Sequence, residues 1–148
     1  MFSGRVSQNY TAQFTQILPH STSPYISIYN INEAAVGTGT VFVKQANPSS
    51  LPATGSQYCT GANFNPSGMV VGITISASPW ITFYDRVGNV FTKQAAPSVL
   101  PNNIATRGGY WHPNGQLWSQ ASSSYPYIYN YTRIGTTMTN LSTSTTFY

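Results

Sequence analysis

The sequence is short of charge before it is short of anything else. Charged residues make up 5% of its 148 positions, where about 25% is usual in a soluble protein. Only two are acidic, Glu33 and Asp85, some fifty positions apart. General acid–base work by paired carboxylates therefore has almost no material. The formal net charge of +4 reflects these missing acids rather than a basic cluster, because the six Lys and Arg are scattered. Without a basic track nothing follows a phosphate backbone, and nucleic acid is not an expected partner. Cysteine is also nearly absent: Cys59 stands alone, which excludes an intramolecular disulfide and a cysteine metal site. No apolar run approaches the roughly 20 residues of a membrane span, and "MFSGRVSQNY" lacks the apolar stretch of a signal peptide, so membrane insertion is not expected.

What is present is apolar, aromatic and repetitive. Hydrophobic residues make up 41% of the chain and aromatics 14%, enough to order one core and to argue against disorder. Three segments share one pattern: "SPYISIYN" from Ser23, "SPWITFYD" from Ser78 and "YPYIYNYT" from Tyr125. A longer unit surrounds them. "VFVKQANPSSLP" and "VFTKQAAPSVLP" differ only at Val43/Thr92, Asn47/Ala96 and Ser50/Val99. The turns "NPSG" and "HPNG" recur 47 residues apart, Asn65 to His112. Blade-forming repeats have periods of about 40 to 50 residues. The expected organisation is one all-β domain, 1–148, of three units at about 1–50, 51–100 and 101–148.

Each unit reads as four short strands. Proline and glycine in "NPSG" and "HPNG" set tight turns, and each proline-aromatic pair is expected to open the next strand, where a missing N–H does least harm. In that strand Tyr25, Ser27 and Tyr29 should share one face, with Ile26 and Ile28 on the other. Apolar bulk on both faces suits a sheet covered on both sides. For the first unit no "NPSG" equivalent precedes Ser23, so its opening strands, within "RVSQNYTAQFTQIL", follow from spacing alone. In the last unit "TTMTNLST" stands where "VFTKQ" is expected.

The order from F-x-P-x-G through S-P-aromatic-I to F-x-K and P-x-x-L-P, over about residues 41–135, resembles the WD-repeat-like β-propeller blades of phage-encoded and metagenomic proteins. The resemblance implies three four-stranded antiparallel blades. Three fall short of the usual four to eight, so ring closure is expected through oligomerisation, two copies making six. A β-sandwich or jelly roll with strands of similar length and spacing is the alternative.

Few residues invite chemistry. Asp85 occupies the place of Asn30 and Thr132 in the other units and reads as a polar turn residue. His20 and His112 lie in loops without metal-spaced partners, and no G-x-S-x-G marks a nucleophile. No catalytic residue, metal or cofactor is expected. The candidate ligand contacts are aromatic: Trp118, Trp80, Trp111, Tyr25 and Tyr127. Trp118 is the freest of them, since the second unit has no aromatic at its place. The sequons at Asn9, Asn130 and Asn140 are candidate glycosylation sites. The resemblance implies a non-enzymatic virion structural or surface protein, located in a virion or outside the cell, with itself or other virion proteins as partners. A lectin-like module binding cell-surface glycans is the alternative.

Overall fold

A computed structural model describes residues 14–32, 35, 37, 39, 41–53, 57–101, 106–123 and 125–143. Their strands form three antiparallel sheets in chain order. The N-terminal sheet holds β1 (Phe14–Pro19), β2 (Ile26–Ile31) and β3 (Phe42–Lys44). The middle sheet holds β4 (Cys59–Phe64), β5 (Val70–Ile75), β6 (Ile81–Val87) and β7 (Val90–Lys93). The C-terminal sheet holds β8 (Thr106–Trp111), β9 (Leu117–Ser122), β10 (Ile128–Ile134) and β11 (Thr137–Thr143). Four strands per unit are thus seen in the second and third units and three in the first. Part of "RVSQNYTAQFTQIL" forms β1, and the remainder lies outside the described residues.

The three units share one register. Gln16 faces Tyr29, Val71 faces Tyr84 and Trp118 faces Tyr131. One residue on, Ile17 pairs with Ile28, Gly72 with Phe83 and Ser119 with Asn130. The segments after Pro24, Pro79 and Pro126 are therefore equivalent strands, β2, β6 and β10.

Their start differs from the sequence expectation. The prolines do not open the strands: Ser23-Pro24, Ser78-Pro79 and Tyr125-Pro126 are cis, and the following aromatics take left-handed backbone, with φ of 68° at Tyr25, 57° at Trp80 and 58° at Tyr127. A bulky residue at positive φ is uncommon, and three at one repeat position make it a feature of the unit. The Trp80 amide closes the turn on the Ala77 carbonyl at 2.7 Å, and the Trp80 carbonyl accepts from the Ile75 amide at 2.9 Å, where the ladder begins. Tyr25 thus leaves the face it was expected to share with Tyr29 and is buried.

The sheets stack in series. Ile17, Ile26 and Ile28 of the N-terminal sheet meet Val71, Ile73, Tyr84 and Phe91 of the middle sheet in one core. Ile81 and Phe83, from the opposite face of the middle sheet, meet Trp118, Tyr129 and Tyr131 in a second. Every residue of β5 is buried, the near-continuous apolar run of a strand covered on both sides. Backbones approach most closely at β1 with β4 and at β4 and β5 with β8. The proline-rich linker from Pro48 to Pro52 crosses the first interface, where its Ser50 carbonyl accepts from Tyr84 Oη at 2.7 Å and its Leu51 carbonyl from Lys93 Nζ at 3.0 Å.

Candidate binding faces

Stacking in one direction makes each sheet present two chemically different faces. The leading face, carrying positions 17, 26, 28 and 30 and their equivalents, packs against the sheet that follows in sequence. The trailing face, carrying positions 16, 18, 29 and 31, packs against the sheet before. Among the described residues two faces remain uncovered: the trailing face of the N-terminal sheet and the leading face of the C-terminal sheet.

The two covered interfaces have a common polar lock. Between the middle and C-terminal sheets, Arg133 Nη2 reaches Asp85 Oδ1 at 3.0 Å, and Gln94 Nε2 donates to the same oxygen at 2.8 Å. Between the N-terminal and middle sheets, Arg86, equivalent to Arg133, donates to Thr15 Oγ1 at 2.6 Å. Thr15 Oγ1 donates in turn to Asn30 Oδ1 at 2.8 Å, and Asn30 Nδ2 to Asn89 Oδ1 at 3.0 Å. Asn30 is the counterpart of Asp85. The Arg86 guanidinium also lies over the Phe64 and Phe91 rings, 5.5 and 5.7 Å from their centroids, and burial lowers its pKa. Asp85 is therefore a strand residue of β6 holding the next sheet, not a turn residue as its sequence place suggested. Sequence reasoning counted Arg86 and Arg133 among the scattered basic residues and missed their partners, which lie across an inter-sheet gap.

The candidate aromatics divide by burial. Trp118, the freest on sequence grounds, has no exposed surface. Its ring meets Phe83 edge-on at 5.7 Å and Trp111 at 5.4 Å. A Cβ at Gly72 would lie 2.7 Å from it, so glycine there is a condition of the packing. Phe83 also meets Trp111 at 5.8 Å and Tyr131 at 6.3 Å. Trp111, half-buried, donates its Nε1–H to the Asn63 carbonyl at 3.1 Å, and Asn63 Nδ2 donates to the Gly109 carbonyl at 2.8 Å, tying β4 to β8. Trp80 is half-buried in its turn and Tyr25 is buried. Only Tyr127 is well exposed, 6.3 Å from the neighbouring ring of Tyr125.

Each open face carries a groove. On the C-terminal sheet one of about 310 Å³ is lined by Arg107, Tyr110, Ser119, Ala121 and Ile128 among others. On the N-terminal sheet one of about 300 Å³ is lined by Gln16, Leu18, Tyr29 and Phe42. Asn130 sits on the first of these faces, accepting from Ser119 Oγ at 2.7 Å; Asn140 is half-buried on β11, and Asn9 lies outside the described residues. His112 accepts from the Asn114 amide at 3.2 Å inside its turn, and His20 lies 3.3 Å from Ser27 Oγ. Glu33 lies outside the described residues, among which no group of three or more His, Cys, Asp or Glu could hold a metal.

No protein-family model matches the chain, and no curated protein is significantly similar to it.

Proposed function

We propose that this chain is a non-enzymatic structural or surface protein of a virus or phage particle, its three sheets serving as propeller-like blades in an open arc. The virion setting follows from the resemblance of its repeat to phage-encoded blades. The architecture is carried by one observation: in successive sheets the leading face of one packs against the trailing face of the next, through equivalent strand positions. Units that add in one direction favour blades over a sandwich, where two sheets close on each other. The non-enzymatic reading is supported by the engagement of Asp85 with Arg133 and Gln94.

Mass spectrometry of purified particles tests the setting. The expected result is recovery of the tryptic peptide from Gln94 to Arg107 in particles at a level comparable to other coat components. Its confinement to the soluble fraction would overturn the proposal. A second reading, glycan binding, is favoured by the exposure of Tyr110, Tyr125 and Tyr127 on the C-terminal unit, since exposed aromatics stack on sugar rings. Binding on a glycan array that is lost in Tyr127→Ala would support it, and binding unaffected by that substitution would count against it.

A further inference from the structure

We infer that the two open faces are made for each other: the leading face of the C-terminal sheet docks on the trailing face of the N-terminal sheet of a second copy. The arrangement repeats in the opposite sense to close a ring of two copies. The inference rests on the stacked-blade reading above and adds the partner and the residues that meet.

The first ground is equivalence. The outward positions of the C-terminal sheet, Ser119, Ala121, Ile128 and Asn130, have the register of Gly72, Thr74, Ile81 and Phe83, which the next sheet covers completely. The outward positions of the N-terminal sheet, Gln16, Leu18 and Tyr29, have the register of Val71, Ile73 and Tyr84, which the preceding sheet covers. Each open face is thus the half of an interface whose other half the chain also carries. Phe14, Leu18 and Phe42 leave the N-terminal face with exposed apolar surface, unusual unless something covers it.

The second ground is charge. Wherever the trailing face carries the arginine of the lock, the opposing leading face carries its acceptor: Asp85 for Arg133, and Asn30 with Thr15 for Arg86. On the open faces the two places are Ile31 and Thr132. One open face has no arginine at this place and the other has no acid, leaving a pair that meets without a buried unpaired charge. Lys44, the one cation on the trailing face among the described residues, pairs with Tyr29 as Lys93 pairs with Tyr84. Lys93 is met by the main-chain carbonyl of Leu51, so a cation at this place is held without an acid.

The third ground is size. Glycine at 72 accommodates the Trp118 ring, and at the equivalent places Ile17 shares the first core with the smaller Val71. At the open faces small Ser119 would face Gln16, whose polar end its hydroxyl suits. Two copies give six sheets, inside the range of about four to eight in closed propellers; one copy gives three.

The deciding experiment rebuilds the lock across copies. Ile31 and Thr132 lie on opposite outer faces of one chain and cannot meet within it. Ile31→Arg alone and Thr132→Asp alone should each bury an unpaired charge and weaken the dimer about a hundredfold or more. The double variant Ile31→Arg/Thr132→Asp should restore it, in a form that weakens with added salt while the wild-type dimer persists. Sedimentation equilibrium reads the mass, with near-ultraviolet circular dichroism confirming that each variant is folded. A wild-type mass of twice 16.1 kDa, two weakened single variants and a rescued double support the proposal. A folded wild-type monomer means that the chain's own terminal segments cover the faces, and overturns it. So does a larger or open-ended assembly, or a folded double variant that stays monomeric. Neither result touches the particle recovery above, so the two proposals fail separately.

Discussion

At Trp118 the chain places its largest side chain where no water reaches it, among Phe83, Trp111 and the bare backbone of Gly72. Trp118→Ala should therefore cost about 3–5 kcal/mol, the range for deleting a large core aromatic, read as a lowered denaturant midpoint. Trp80→Ala, at a half-buried turn, should cost only about 1–2 kcal/mol. Asp85 makes the opposite case. The Arg133–Asp85 pair is 28% and 27% exposed in its two side chains, which places it near the weak limit for ion pairs. Asp85→Asn keeps an acceptor for Gln94 and should cost no more than about 1 kcal/mol. Asp85→Ala removes the acceptor from both partners and should cost more. Equal midpoints for the Asn and Ala variants would mean that the contact contributes nothing in solution.

At the scale of the element, β5 carries the molecule's tightest constraint, because it is buried on both faces. Its Gly72 permits the close approach of β9's tryptophan to β5. Gly72→Ala should cost about 1–3 kcal/mol by overpacking, and Trp118→Phe in the same chain should recover part of that loss. A double-mutant cycle measures the coupling; strictly additive effects would show that the ring moves aside freely. The proline-aromatic turns obey a different logic. Tyr25, Trp80 and Tyr127 share one left-handed backbone yet differ from buried to exposed, so the turn and not the ring's environment is what the repeat preserves.

For the whole molecule, alkaline pH is the most direct probe of the two cores. Burial pushes the Cys59 thiol from 9.0 up to about 12. Burial also raises Tyr84, with a smaller contribution from Cys59, and burial raises Tyr131. Each group ionises more readily in the unfolded chain. The stability they represent is therefore fully present below about pH 9 and is lost as pH rises through the folded values. The thermal midpoint should be flat from pH 7 to about 9 and fall steeply above it, and Cys59→Val should blunt the earliest part of that fall. Cys59 should also resist alkylation in the folded protein, since the thiolate is the reactive form. Rapid labelling under native conditions would contradict its burial in the first core.

The sequence by itself determined the number of units, the equivalence of β2, β6 and β10, and the β4–β5 and β8–β9 turns. These depend on short-range chemistry: a proline and a glycine a few residues apart, or a period of two along a strand. It did not reveal that the aromatics after Pro24, Pro79 and Pro126 belong to turns, because a Pro-aromatic-Ile run looks the same in a turn and at a strand's first residue. Tertiary structure alone decided which aromatic is buried. Trp118 and Tyr127 are both large aromatics, but one packs against Phe83 of the middle sheet and the other is 46% exposed. Tertiary structure also decided the partners of Arg86 and Arg133, which lie 71 and 48 residues away in sequence. A residue's own chemistry states that it needs a partner or a cover, and only the packing of the neighbouring sheet supplies one.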